Sequence, residues 1–310
     1  MLFSDLASLT PAEPVVLTIG KFDGVHLAHQ QLVNSLVERA RASGAQSAVL
    51  TFDPHPDEVL RPERTIRYLT TINERAALLN ELGVQMMIVL PFSQSLAQMS
   101  AEQFMAMLCD HIRLRELWVG PDFRLGHKAQ GTVPVLREIG ERLGYVVHAI
   151  PQWTLDGEAV SSTAIRALLA EGRVAEVPHY LGRPFSVQGP VVQGDQRGRT
   201  IGFPTANVAF APNHMLPADG VYVCRVRLLG SRRDFGAVTN LGVRPTFGVL
   251  ARTLEAHLFD CADDLYGQAV RVTFLERLRG EQKFNGIDEL VAQIGRDAAA
   301  ARAWLAEPAT

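Results

Sequence analysis

Val15-Val16-Leu17-Thr18-Ile19-Gly20-Lys21-Phe22-Asp23-Gly24-Val25-His26-Leu27-Ala28-His29 runs from a β-branched apolar segment through two glycines into a pair of histidines. The first five residues have the composition of a short buried strand, and Gly20 ends it. Apolar residues Leu32, Val33, Leu36, Val37 and Ala40 then recur at helical spacing over residues 30–43. The stretch therefore predicts a β-loop-α unit. Gly44 closes that helix, and residues 47–52 resume as a strand that breaks at Asp53-Pro54-His55-Pro56. The alternation continues with a helix over 71–82, a strand over 84–90, a helix over 100–109 and a strand at 117–119. Ser100, with Gln103 three residues on, opens the helix over 100–109. Repeated units of this kind predict a parallel sheet with helices on both faces, with functional loops at the carboxyl ends of the strands.

The texture changes near residue 180. Short alternating segments at 185–189, 220–228, 235–240, 254–259 and 269–276, punctuated by glycine and proline, read as antiparallel strands, and residues 288–305 as a closing helix. Gly182 and Pro184 interrupt the pattern, so domains are expected over 1–182 and 183–310. The fold class expected is α/β plus β.

The 310 residues are about twice the ~150-residue unit of a single domain. With 47% hydrophobic and 20% charged residues, disorder is not expected. Thirty basic residues against thirty-three acidic give a net charge of −3, with no dense Lys/Arg footprint, so no nucleic-acid partner is expected. No apolar run approaches the roughly 18 residues of a membrane span. The first residues lack the basic and apolar regions of a secretory signal, so a cytoplasmic location and no membrane partner are expected. Cys109, Cys224 and Cys261 lie far apart, as buried thiols in a reducing compartment would.

Gly20 and Gly24 let the backbone turn sharply beside a helix N-terminus, whose free amides and dipole favour an anion such as phosphate. His26 and His29, three apart at that terminus, can donate to phosphoryl oxygens. At the same spacing they could cap the helix or, with His55, hold a metal. Thr51-Phe52-Asp53-Pro54-His55-Pro56 follows the second strand onto the same sheet edge. Ser161-Ser162-Thr163-Ala164-Ile165-Arg166 opens a helix over 164–171. It offers hydroxyls, amides and an arginine to a polyphosphate, or supplies a simple serine cap.

The second half holds Gly194-Asp195-Gln196-Arg197-Gly198-Arg199-Thr200-Ile201-Gly202-Phe203-Pro204-Thr205-Ala206-Asn207, which is not a Walker P-loop. Gly194, Gly198 and Gly202 suit a flap whose amides and Arg197 cover a polyphosphate. Thr205 and Asn207 supply hard oxygens of the type Mg²⁺ accepts. A long hairpin loop would have similar composition.

The order GxFDGVHxxH, TFDPHP, GxDFxxG (120–126) and SSTxIR resembles the adenylyltransferase module of bacterial bifunctional riboflavin kinase/FAD synthetases. GxxxxGxxxGFPTAN, NxGxRPTF (240–247), LEAHLFD (254–260), LYG (265–267) and LRGEQKF (278–284) are similar to the riboflavin kinase module of the same family. The resemblance implies a Rossmann-like nucleotidylyltransferase domain followed by a six-stranded antiparallel barrel with a C-terminal helix. It implies ATP as co-substrate, riboflavin and FMN as substrates, FMN and FAD as products, and Mg²⁺. By the same resemblance His26 and His29 stabilise the transferring phosphoryl group. Ser161, Ser162, Thr163 and Arg166 hold the departing phosphates. Gly20, Phe22, Asp23, His55, Asp122 and Phe123 line the nucleotide or flavin.

In the kinase module the resemblance implies that Gly194, Arg197, Gly198, Gly202 and Asn240 bind nucleotide, and that Thr205 and Asn207 bind its metal. Glu255, expected to face the barrel, is the base for the 5′-hydroxyl. Arg279 and Phe284 contact flavin, and Arg244 faces phosphate or is structural. Ala28, Leu125 and Ala129 depart from the family pattern, where glycine, an aromatic and a basic residue stand. These departures leave a kinase with an altered first site as the alternative.

Overall fold

The structure is a computed structural model describing all residues except 1, 5, 7, 8, 10–12, 152, 195–197, 199, 200, 247, 248 and 308–310. It divides into two compact units, Met1–Ser162 and Thr163–Thr310.

The first unit is built on strands β1 (Leu2–Phe3), β2 (Val15–Ile19), β3 (Gln46–Asp53), β4 (Met86–Pro91) and β5 (Leu114–Val119). A hairpin of β6 (Arg124–Leu125) and β7 (Gly131–Thr132) precedes β8 (Val146–Ala149). The main sheet has the order β1-β4-β3-β2-β5-β8 and is parallel throughout. Successive connections move one way from β2 to β4 and then reverse to β5 and β8. The reversal opens a crevice at the carboxyl end of β2, where a doubly wound sheet binds its ligands.

Helices α1 (Leu27–Ala42), α2 (Pro56–Leu60), α3 (Ile72–Glu81), α4 (Gln94–Gln98), α5 (Ala101–His111) and α6 (Val133–Leu143) cover the sheet. Strand alternation divides the apolar residues between two faces. Leu17, Leu50, Ile88 and Leu117 pack with Phe104, Met105, Leu136 and Ile139 of α5 and α6. Val49, Met87 and Val89 pack with Val33 of α1 and Leu79 of α3. The expected Ser100–Gln103 capping box is formed, and Thr71–Glu74 forms a second one. Helix α1 begins three residues earlier than its apolar period indicates, because His26 caps it: Nδ1 accepts from the backbone N–H of His29 at 3.4 Å. Two further strands, β9 (Thr154–Leu155) and β10 (Glu158–Ala159), make a small hairpin.

The second unit opens with α7 (Ser162–Glu171), whose first residue closes the first unit, and the short α8 (Pro178–Leu181). Residues 163–182, assigned to the first domain from sequence, group here with the barrel. Ala218 N donates to Leu169 O at 2.8 Å and Arg277 donates to Glu171 O at 3.2 Å. The barrel comprises β11 (Ser186–Val192), β12 (Ala206–Val208), β13 (Gly220–Leu228), β14 (Asp234–Thr246), β15 (Val249–Leu258) and β16 (Ala269–Arg279). It closes in the order β11-β12-β15-β14-β13-β16, antiparallel at every pairing. Tyr222, Cys224, Val226, Leu254, Ala256, Val272 and Phe274 are buried. The alternate residues Val221, Val223 and Val238 pack against Ala298 and Ala301 of helix α9 (Ile287–Ala306). No helix of the described residues is long and apolar enough to cross a membrane.

Candidate active sites of the two units

The loop from Gly20 to His26 lies in the crevice at the end of β2. Gly20 is required by close approach: a Cβ there would stand 2.9 Å from the ring of Phe22. Phe22 and Val25 both take positive φ, 48° and 43°, and are buried, so packing holds the loop in a conformation these side chains seldom adopt. The imidazoles of His26 and His29 stack with centroids 3.7 Å apart, and the ring of Phe22 closes on His29 at 4.8 Å. Because His26 Nδ1 accepts a hydrogen bond, the proton of the neutral ring sits on Nε2. Desolvation, then His26, then the Arg75 guanidinium hold His29 well below the usual imidazole range. Its Nδ1 is closed to solvent and has no hydrogen-bond partner among the described residues.

Asp23 is the buried anchor of this loop. Its carboxylate accepts from Leu69 N at 3.0 and 3.1 Å, from Thr70 N at 3.1 Å and from Thr70 Oγ1 at 3.2 Å. Arg75 of α3, itself buried, lies 3.4 Å from Asp23 Oδ1 and also reaches Thr51 Oγ1 and Thr70 O at 3.4 Å. Gly24 N donates to Thr70 Oγ1 at 3.0 Å and Thr51 Oγ1 donates to Lys21 O at 3.1 Å. Arg75 and Thr70 carry no recognisable motif, and sequence reading missed them. The available signal was an arginine on the apolar side of an amphipathic helix, Ala76 and Leu79 being its neighbours on the core.

Ser162 Oγ donates to Asp23 O at 2.9 Å, which joins the fourth motif to the first across 139 residues. Arg166 lies one turn further along α7, half-buried. Ser161 is half-buried and Thr163 exposed at that helix start. His55 caps α2, Nδ1 accepting from Asp57 N at 3.0 Å, and its N–H donates to Tyr68 Oη at 2.9 Å. Among the described residues no group of three His, Cys, Asp or Glu side chains could hold a metal, so the three-histidine metal cluster is not formed. Asp122 is exposed, while Phe123 packs against the sheet core.

In the second unit, strand register builds a row. Asn207 of β12 stands opposite Glu255 of β15, Glu255 opposite Asn240 of β14, Asn240 opposite Val221 of β13 and Val221 opposite Arg279 of β16. Directly opposed residues share a face. That face is the one Val221 presents to α9, so Glu255 stands on the outer side of the barrel wall and not inside it as expected. Leu254 and Ala256 occupy the interior. Glu255 is 8% exposed and accepts from Thr253 Oγ1 at 3.1 Å. Arg279 forms a bidentate pair with Asp297 of α9, 2.7 Å at its shortest, and its guanidinium lies 5.9 Å from the ring of Phe284.

Gly194 lies directly against the side-chain amide of Asn207, leaving no room for a Cβ. Gly198 O accepts from Phe203 N at 2.8 Å, and Gly202 has φ +87°. His257 Nδ1 lies 2.8 Å from Pro204 O, pinning the turn that presents Thr205. A cavity of ≈ 460 Å³ lined by Pro204, Thr205, Leu258, Cys261, Leu265 and Tyr266 opens beside it. Arg197 lies outside the described residues, and Arg244 belongs to β14.

Comparison with known proteins matches residues 9–164 to the family described as FAD synthetase and residues 181–305 to riboflavin kinase. The bifunctional riboflavin kinase/FMN adenylyltransferase of Escherichia coli (strain K12) is 39% identical over 97% of both chains. The chain belongs to the bifunctional riboflavin kinase/FMN adenylyltransferase family. The proteins of that name from Haemophilus influenzae (37% identity, 93% of each chain) and Bacillus subtilis (33%, 91% of this chain and 90% of that one) are also similar. Among solved structures, a chain described as a macrolide-efflux protein from Streptococcus pneumoniae superposes with TM-score 0.88 at 31% identity, covering 98% of this chain and 99% of that one.

Within this riboflavin kinase/FMN adenylyltransferase chain, Ala28 sits in the first turn of α1 without positive φ, so the backbone there does not demand the family's glycine. Leu125 packs against the sheet core. Ala129 takes φ 56° at an exposed turn.

Proposed function

We propose that the second unit transfers the γ-phosphoryl group of ATP to the 5′-hydroxyl of riboflavin, and that the first unit transfers the adenylyl group of a second ATP to FMN, releasing diphosphate. The observation that carries the reading is the row Asn207–Glu255–Asn240, a buried carboxylate flanked on both strands by amides. In the kinase step Glu255 takes the hydroxyl proton as the oxygen bonds to Pγ and the Pγ–O bond to ADP breaks. Thr253 Oγ1 donates to the carboxylate, and Asn207 and Asn240 stand beside it on the neighbouring strands, available to orient the hydroxyl. Thr205 Oγ1, a neutral oxygen, lines the 460 Å³ cavity together with the carboxylates of Asp263 and Asp264, and Asn207 follows two residues on in β12, so hard oxygens of the kind Mg²⁺ takes stand at or beside it. When bound, Mg²⁺ neutralises the polyphosphate. The cavity has the volume of a small-ligand pocket, about 300–1,000 Å³, and accepts the nucleoside.

In the adenylyl step an oxygen of the FMN phosphate, already anionic, attacks Pα, and the bond from Pα to the bridging oxygen breaks. No base is needed. His26, with its proton on Nε2, donates to the phosphoryl oxygens. His29, neutral before the anion arrives, gains a proton affinity there that the negative charge favours. Ser161, Ser162, Thr163 and Arg166 bind the leaving diphosphate, with Ser162 holding the His26 loop through Asp23 O. By the family's motif pattern, Gly20, Phe22, Asp23, His55, Asp122 and Phe123 serve nucleotide or flavin in the first unit, and Gly194, Arg197, Gly198, Gly202, Arg279 and Phe284 in the second. A cytoplasmic location fits both substrates.

Incubating the pure protein with riboflavin and Mg-ATP, and resolving riboflavin, FMN and FAD over time, tests both halves. FMN is expected to rise and then decline as FAD accumulates. Absence of both nucleotides overturns the reading, and FMN without FAD assigns kinase activity alone.

A further inference from the structure

The outer wall of the barrel carries a second concavity, ≈ 280 Å³, lined by Pro184, Arg225, Arg227, Asp234, Arg271 and Thr273. Strand register explains its charge. Arg227 of β13 stands directly opposite Arg271 of β16, and Arg225 opposite Thr273. Like charges opposed across a sheet destabilise the pair. Asp234 makes a bidentate pair with Arg227 at 2.6 and 2.7 Å and is in electrostatic reach of Arg225, without a hydrogen bond to it. The side chains of Arg225 and Arg271 make no hydrogen bond or ion pair among the described residues, and Arg271 Nε is closed to solvent with no acceptor among them. Three arginines against one aspartate leave a net charge of +2 in a concavity on a chain whose net charge is −3.

A wall that required only solubility would mix signs and use flexible lysines. Here planar guanidinium forks, suited to oxyanions with several acceptor oxygens, converge from adjacent strands beside a hydroxyl. The volume falls below the roughly 300 Å³ at which drug-sized pockets begin, which suits a compact anion and not a macromolecular surface. Along β13 the concavity lies four to six residues beyond Val221, roughly 13–20 Å from the Glu255 row.

We propose that this concavity binds a small phosphoryl anion, inorganic phosphate or diphosphate, held by Arg225, Arg271 and the Thr273 hydroxyl. The bound charge relieves the opposed arginines and gives Arg271 Nε its acceptor.

The test is a titration of the full-length protein, followed through the ¹H–¹⁵N signals of the arginine Nε–Hε groups. Sodium phosphate, sodium diphosphate and sodium chloride at matched ionic strength form separate arms. Arg225→Gln and Arg271→Gln assign the two signals. Both signals are expected to shift saturably with phosphate or diphosphate, the tighter arm naming the source. Each substitution is expected to weaken binding at the remaining arginine by about tenfold. Riboflavin phosphorylation at the parental rate shows that the variants are folded, since neither residue belongs to the sites described above. Shifts reproduced by chloride, shifts unaffected by either substitution, or no saturable shift with phosphate or diphosphate overturn the proposal.

Discussion

Replacing Arg75 with Met removes a buried cation while keeping most of its volume, and leaves Asp23 charged in a site 2% exposed. Breaking a buried ion pair from one side costs about 3–5 kcal/mol. The 3.4 Å contacts are long, and Asp23 retains Leu69 N, Thr70 N and Thr70 Oγ1, which places the cost at the lower end, about 3 kcal/mol. With a urea dependence of about 2–3 kcal/mol per molar for a unit of this size, the midpoint falls by about 1–1.5 M. The assay is urea unfolding by tryptophan fluorescence in a Trp304→Phe background, so that the signal comes from the first unit. Asp23→Asn and the double variant complete the cycle. The double variant is expected to recover about 1–3 kcal/mol relative to the sum of the single losses. FAD formation from supplied FMN should fall, because the His26 loop loses its anchor, while FMN formation from riboflavin is unchanged. A midpoint unmoved by Arg75→Met, or strict additivity in the cycle, refutes the assignment of Arg75 as the counter-charge that fixes this loop.

Glu255→Gln keeps the shape of the row but removes the base, so riboflavin phosphorylation should drop by about 10²–10⁴-fold. FMN supplied directly should still become FAD; an unchanged kinase rate would move the base elsewhere. His29 folds with its pKa depressed from 6.5, so between that value and its lower folded value the unfolded chain holds more protons. Stability is therefore complete above about pH 6.5 and declines with acidification, by up to about 1.4 kcal/mol per pH unit for one proton. His29→Asn should flatten that slope in urea midpoints compared at pH 7.5 and 5.5, and identical slopes would contradict the burial argument. A fragment beginning at Thr163 should make FMN and unfold at higher urea than one beginning at Phe185, which lacks the Leu169–Ala218 and Glu171–Arg277 bonds. Equal midpoints would show that α7 adds nothing to the barrel.

Elements with a clear period were legible in the sequence, and those built by pairing alone were not. β2, β13 and the C-terminal helix show in their own side chains. β12 is three residues long and contains Asn207, so neither alternation nor propensity marks it. Only its pairing with Val191 and Val192 on one side and Glu255 and Ala256 on the other makes it a strand. Motif order brought His26, Ser162, Asn207 and Glu255 into view. The face on which Glu255 lies depends on which residues fill the barrel, and a single strand whose neighbours on both sides are buried does not reveal it. Arg75 was invisible for a related reason. A buried charge is legible only together with its partner, and Asp23 lies 52 residues away on another element.

A closed barrel also dictates where this part of the chain can change length over evolution. Every strand is hydrogen-bonded on both sides, so no free margin exists along which a strand could slide to absorb an added residue. One residue inserted in β15 ahead of Leu254 would move Leu254 to the place of Glu255 and Glu255 to the place of Ala256, sending a carboxylate into the apolar interior and a leucine to the row of amides. Insertions, new termini and grafted domains therefore belong in a connection such as 229–233, whereas 260–268 is held to its length by the cavity it lines. Drift in length will collect at such a turn while the strands keep their residue count.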